Sequence, residues 1–411
     1  MNKHLRIMIA ILLVAVMVLG VVGCAGDPAS ADDTTTADTT TAAPAGDNNN
    51  GDNNNGGNNN NGGNNNGGNN NNGGNNGGEN GGGDAVVVGD GIKLLGMRNA
   101  NLGYEGGYWF DWAGSGMVLN VNLESGNVIL GFETIGESDD DDVWFYITVD
   151  GEAYGEDGYA RLGCNLEEET IILEGLEAGA HTIEIVKVTD SAVGSAHLTA
   201  IEFAGTYGAA PADKDLVVEF VGDGLVTGQG LGADGVGDVT KAYAWAVAEA
   251  LDADYAMIAT EDATAAAMLA DYTRASLRNK EIIHKFHRAA DVVVINLGAE
   301  DKEIDTMNSE DNSAAFQASY EALIAKVRTW NPDAKIVCVY GNADNYNAAI
   351  TAAVTAAGGE AAGVYALEVT ADNAAATITD KINAIKDVAF NVDTPVKGDG
   401  SVQDWADGVA A

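Results

Sequence analysis

Four short apolar runs, residues 216–221, 291–297, 335–340 and 363–369, are each about the length of one strand. Between them, residues 241–251, 313–329, 346–357 and 373–385 carry apolar side chains at helical spacing. Runs that stay apolar throughout, instead of alternating, suit strands buried on both faces. Strands that alternate with helices close as a parallel sheet covered by helices on either side. Residues 206–411 are therefore predicted to form a three-layer α/β domain. Ligands of such sheets lie at the carboxyl ends of the strands, so the residues just after each apolar run are where chemistry is sought.

Residues 84–205 follow a different rule. Alternating apolar and polar positions recur in short runs (117–123, 128–132, 143–149, 170–173, 181–188 and 197–203), separated by Gly, Asn and Asp. This pattern predicts a β-sandwich without helix, joined to the second domain by a link at 206–214. The chain has 411 residues, 46% of them hydrophobic, which is enough for two cores.

Before the sandwich come two segments of another kind. Residues 1–24 combine a basic start (Lys3, Arg6), an apolar run at 7–22, and small residues leading into Cys24. This resembles a bacterial lipoprotein signal, which implies that Cys24 carries lipid as the mature N-terminus. A plain membrane anchor is the other reading of the run, but it is short for a bilayer span and lacks a basic flank. Residues 25–83 are Thr/Ala-rich and then almost pure Asn and Gly, with too little apolar surface to order a backbone. They read as a tether, and a Gly-rich coil of that length spans roughly 40 to 45 Å. The implied location is the extracellular face of a bacterial cell membrane, held there only through the lipid.

Charge narrows the partners. Lys and Arg number 20 against 62 acids, for a net charge of −42. Binding to nucleic acid works by neutralising phosphates and is excluded as an expectation, as is docking on anionic headgroups. Apart from Cys24 only Cys164 and Cys338 occur, in separate apolar settings that suit buried free thiols. No spacing of Cys or His suggests a metal site, and no cofactor is expected.

Residues 216–230 read LVVEFVGDGLVTGQG, a strand running into a glycine-rich turn. The stretch resembles the first motif of the SGNH (GDS-type) hydrolases: a strand, Gly-Asp-Ser, Ile-Thr, one residue, then Gly-Tyr-Gly. Gly222, Asp223, Gly228 and Gly230 match, while Gly224 stands for the nucleophilic serine, Val226 for the threonine and Gln229 for the tyrosine. Residues 291–301, DVVVINLGAED, are similar to the family's Asp-Leu-Val-Val-Ile-Asn-Leu-Gly-Thr-Asn-Asp. Gly298 and Asp301 match, and Glu300 replaces the asparagine that binds the oxyanion. A carboxylate has no proton to donate and repels a developing negative oxygen.

The resemblance extends to two further motifs, both altered. The family's second oxyanion donor is a backbone amide at a glycine after the next strand, and the matching residues Thr260, Glu261, Asp262 and Ala263 include no glycine. Its C-terminal Asp-x-x-His or Asp-Gly-His-Pro becomes Gly398-Asp399-Gly400-Ser401, with Ser401 at the position of the histidine base. No histidine follows His287, and His284 and His287 precede the 291 strand, at the sheet end opposite the family's site. Thr227 has no visible base to activate it. The family's frame is thus implied without its triad: no catalytic residue is expected, and Gly224, Glu300, Asp399 and Ser401 are the altered positions. A nucleotide loop is a weak rival for the glycine pattern, because no helix is expected to open from it and no Walker lysine follows.

The first domain carries YWFDWAGSGM at 108–117, ITVDG at 147–151 and AGAHTIEIVKVTD at 178–190. Together these look like the N-terminal jelly-roll of family 2 carbohydrate esterases, the acetylxylan-esterase type. Tyr104, Tyr108, Trp109 and Trp112 are either a sugar-stacking platform or sandwich core. Asp139 to Asp142 are either a calcium loop or a solvated turn. Three functions follow: a catalytically silent binder of polysaccharide or cell-wall glycan, using Asp223, Gly224, Glu300 and Asp301 or the aromatic cluster; an active O-acetyl esterase with another nucleophile; or a structural lipoprotein without a glycan ligand.

Overall fold

The alternating runs of the first half assemble into a nine-stranded antiparallel sheet. Its strands are β1 (Ile92–Leu95), β2 (Tyr108–Phe110), β3 (Gly116–Gly136), β4 (Asp142–Val149), β5 (Glu152–Ala153), β6 (Tyr159–Gly163), β7 (Asn165–Leu176), β8 (Gly179–Lys187) and β9 (Gly194–Tyr207). The computed structural model describes residues 91–96, 108–136, 141–278, 288–341, 343 and 345–390, all within one compact unit, Gly82–Ala411. Cys24, residues 25–83, Tyr104, Asp139, Asp140, His284, His287, Asp399 and Ser401 lie outside the described residues.

The runs at 117–123 and 128–132 prove to be one strand. β3 is 21 residues long and pairs with β8 along its first half and with β7 along its second. Ser125 and Gly126, which read as a turn, instead make a bulge: the register shifts between Gly126 and Val128, so the strand bends without reversing. Alternation along β3 buries Met117, Leu119, Val128, Leu130 and Phe132 in a core shared with Phe145, Ile183 and Ile185. Cys164 belongs to that core and Cys338 to another, and both are free thiols.

The second half builds a five-stranded sheet whose paired strands all run parallel. In chain order it comprises β10 (Val217–Gly222), α1 (Gly224–Thr227), α2 (Tyr243–Ala250), β11 (Asp254–Ala259), α3 (Ala265–Asp271), β12 (Val292–Asn296), α4 (Ala299–Asn308), α5 (Ser313–Trp330), β13 (Lys335–Tyr340), α6 (Asn347–Ala356), β14 (Val364–Glu368) and α7 (Ala374–Ile385). The strand order is β11-β10-β12-β13-β14. α3 and α4 were not among the expected elements, and β11 was implied only by the resemblance, as the strand before residues 260–263. Contrary to expectation, a single helical turn, α1, does open from the glycine loop.

Both faces of the central strand are covered. Val218 and Phe220 pack with Val247, Ile378 and Ile382, whereas Val221 and Ile295 pack with Tyr320, Leu323 and Val327. The chain leaves β10 for β11 on one side and returns to β12 on the other, which makes the carboxyl ends of β10 and β12 the point where connections diverge, the place where open sheets of this kind form a ligand crevice.

Polar clasps join the two sheets. Asp190, just past β8, accepts from the Thr260 hydroxyl at 2.8 Å and from the Glu261 amide at 3.0 Å. The buried Lys187 ammonium donates to the carbonyls of Thr189 and Asp190, and burial lowers its pKa to about 8. On another edge Lys93 meets Asp254 at 2.6 Å. Buried charges held this way demand precise placement, and Asp190 thereby fixes the turn after β11.

Candidate functional site

The crevice is framed by glycines that sterics demand. A Cβ on Gly222, at the end of β10, would stand 2.4 Å from Val226 Cγ2 and 2.7 Å from the Asn296 carbonyl. One on Gly228 would stand 2.1 Å from the Asp238 carbonyl, and φ there is +73°. Gly298 has φ +114° and caps α4. These positions hold the turn whatever chemistry it hosts.

Gly224 is different. It is absent from the positive-φ glycines, so the backbone there accepts any L-residue. What fills its side-chain space is Gln229: a Cβ on Gly224 would lie 2.2 Å from Gln229 Oε1 and 2.9 Å from its Cδ. The Gln229 amide nitrogen donates to Glu261 Oε2 at 3.2 Å. Position 224 thus lacks both a side chain and the room for one in this arrangement.

Asp223 caps α1, with Oδ1 accepting the Leu225 amide at 3.1 Å. Its side chain is 3% exposed, and Oδ2 has no hydrogen-bond partner among the described residues. Burial, with the charges of Asp301 and Glu300 adding to it, pushes the carboxyl up to about 7. Glu300 and Asp301 occupy the first turn of α4. Asp301 Oδ2 accepts the Ala265 amide at 3.0 Å, and burial raises its pKa as well. Acidic side chains thus gather at the carboxyl edge from the ends of three strands: Asp223 after β10, Glu261 after β11, Glu300 and Asp301 after β12. Among the described residues no His, Cys, Asp and Glu cluster is arranged to hold a metal ion.

The turn after β11 is bound inward. The Glu261 amide belongs to Asp190 and the Ala263 amide to the Thr260 carbonyl. Thr227 is fully buried, and its hydroxyl donates to the Gly224 carbonyl, so it does not face the crevice as a nucleophile. Asn296 donates to the Tyr243 hydroxyl at 3.0 Å.

Two of the four aromatic residues, Tyr108 and Trp112, are interior. Tyr108 is 4% exposed in the core of the antiparallel sheet, while Trp112, at 1%, lies in a core of the parallel sheet. The Trp112 indole donates to the Arg274 carbonyl. Trp109 is half-buried and stacks on His197 at 4.8 Å. Packing consumes the faces of Tyr108 and Trp112 that a sugar would need. A cavity of about 300 Å³ lies elsewhere on the antiparallel sheet, lined by residues that include Tyr154, Tyr159, Arg161 and Ile172.

The residues that sequence reasoning undervalued are Gln229, Glu261 and Asp190. Gln229 and Glu261 were visible as departures from a motif. Asp190 left no signal, because it reaches the site from the other sheet across 70 positions of chain.

No family model matches the chain, and no curated protein matches its sequence. Solved structures do match its fold. A family two carbohydrate esterase from Clostridium thermocellum, solved in complex with cellohexaose, superposes with a TM-score of 0.61 and 23% identity, over 72% of this chain and 98% of its own. An acetyl xylan esterase from the rumen bacterium Butyrivibrio proteoclasticus gives 0.60 and 17%, over 73% and 96%. A carbohydrate esterase whose active site displays divergent catalytic and non-catalytic binding functions gives 0.57 and 15%, over 73% and 99%. The fold is that of family two carbohydrate esterases, an SGNH-like parallel sheet accompanied by an antiparallel one.

Proposed function

We propose that this protein is a surface lipoprotein that keeps the frame of a family two carbohydrate esterase, has lost its ester chemistry, and binds polysaccharide at the former site. On this reading the antiparallel sheet is the jelly-roll domain (84–205), residues 206–411 are the hydrolase-like domain, and residues 25–83 tether both to a lipid on Cys24 at the extracellular face of the membrane. The observation that carries the reading is the Gln229 carboxamide standing where a serine side chain at position 224 would be. Three further features support it: the inward-bound Glu261 amide, the carboxylate at Glu300, and the burial of Thr227. Loss of a triad nucleophile or base costs roughly 10⁶ in turnover in serine hydrolases. Binding needs only shape and directed polar groups, and therefore outlives that loss. A related fold solved with cellohexaose makes a glycan the ligand of choice.

The test is acetate release from acetylated xylan and from an aryl acetate by the full-length protein and its Gly224→Ser variant, beside a protein-free blank. Both proteins are expected at the blank rate. Turnover by the unmodified protein overturns the silent-site reading.

A further inference from the structure

We infer that this site selects glycan without acetyl groups: it takes the free hydroxyls of a deacetylated polysaccharide and disfavours the acetylated form. The inference rests on the binding role proposed above and specifies its ligand.

The first ground is hydrogen-bond polarity. An acetyl ester offers oxygens that only accept, whereas a free sugar hydroxyl also donates. The crevice presents the reverse of what an ester needs. Glu261, Glu300 and Asp301 bring carboxylates, which only accept. Beneath them Asp223 has a buried oxygen with no hydrogen-bond partner among the described residues; a sugar hydroxyl pairs with that carboxyl in either protonation state, whereas an ester oxygen pairs with it only when it is protonated. Two donors beside position 224 are turned to other tasks. The Glu261 amide is held by Asp190, and the Gln229 amide nitrogen points to Glu261.

The second ground is steric. A reacting acyl carbon sits roughly 3 to 3.5 Å from its nucleophile, so an acetyl group in the family's pose would occupy the space beside position 224. That space holds the Gln229 carboxamide, which has nearly the size and shape of an acetyl group. The chain thus keeps a built-in occupant of the acyl position and leaves acceptors for the sugar around it.

Calorimetric titration of the full-length protein with acetylated xylo-oligosaccharides, and with the same preparation after alkaline deacetylation, tests this. The deacetylated form is expected to bind roughly tenfold tighter or better, the scale set by one unmatched polar contact. Glu300→Gln supplies a donor and Gln229→Ala opens the acyl space. In each, with an unchanged melting temperature, the preference is expected to shrink by about threefold or more. Equal or tighter binding of the acetylated form overturns the inference and leaves the binding role standing. A full preference persisting in both variants also overturns it. Binding of neither preparation overturns the inference and the proposed role together.

Discussion

Two buried carboxylates sit four residues apart on and just after β10, and they are treated oppositely. Glu219, in mid-strand, is 1% exposed and receives the Tyr272 hydroxyl. The Tyr272 oxygen accepts from Asn331 Nδ2 at 2.8 Å, and Asn331 Oδ1 accepts the Ala290 amide at 2.8 Å. Asp223, at the strand's carboxyl end, has an oxygen with no hydrogen-bond partner among the described residues and negative neighbours. A closed polar network specifies a core, whereas an open one leaves capacity for a ligand or a proton. The contrast separates what this strand contributes to the fold from what it contributes to the site.

The largest effect expected from breaking the contrast falls on the closed network. Glu219→Ala removes a buried side chain and strands the Tyr272 hydroxyl, so urea unfolding should register a loss of about 3–5 kcal/mol. Tyr272→Phe should cost less, about 1–3 kcal/mol, by leaving Glu219 without its donor. A loss under about 0.5 kcal/mol for Glu219→Ala would mean that the network does not hold the core.

Next in size is a pair of glycine substitutions. Gly222→Ala drives a Cβ into Val226 and the Asn296 backbone and should cost about 1–3 kcal/mol. Gly224→Ala meets mainly the movable end of Gln229 and should change thermal stability by under about 1 kcal/mol. Equal losses would erase the distinction between frame and reagent positions.

The two carboxyls also write a pH signature. Burial lifts Glu219 from 4.5 to about 8 and Asp223 from 3.8 to about 7. Each folded-state carboxyl holds its proton where the unfolded chain has released it, so the stability these two groups contribute falls as pH rises through these windows and levels off above pH 8. Glu219→Gln should flatten the upper part of the slope and Asp223→Asn the lower part, as read by melting temperature against pH. An unchanged pH slope between 5 and 8 in both variants would contradict both assignments.

The smallest effect is expected for Asp223→Asn at neutral pH. The side-chain oxygen that caps Leu225 is retained, so the change should stay within about 1 kcal/mol in denaturant titration, although ligand affinity should fall. A cost matching that of Glu219→Ala would place Asp223 in the core network.

Local patterning made much of this legible. Apolar runs at 216–221, 291–297, 335–340 and 363–369 are buried strands because burial on both faces leaves no alternation to hide, and all four appear within a residue of the expected bounds. β11 was marked only through the resemblance, as the strand before residues 260–263, because Asp254 shortens its apolar run to five residues. The break expected near Ser125 became a bulge, since turn-forming residues bend a strand when partners on both sides keep it paired.

The departures of residues 224, 229 and 300 from the motifs they resemble could be read from the letters, because motif spacing is a property of neighbouring residues. Tertiary structure alone decided that Gln229 fills the space above Gly224, that Asp190 of the other sheet takes the Glu261 amide, and that Tyr108 and Trp112 disappear into separate cores. Each depends on contacts between residues that are distant in sequence or meet only across a folded turn, and no periodicity in a linear chain records such contacts.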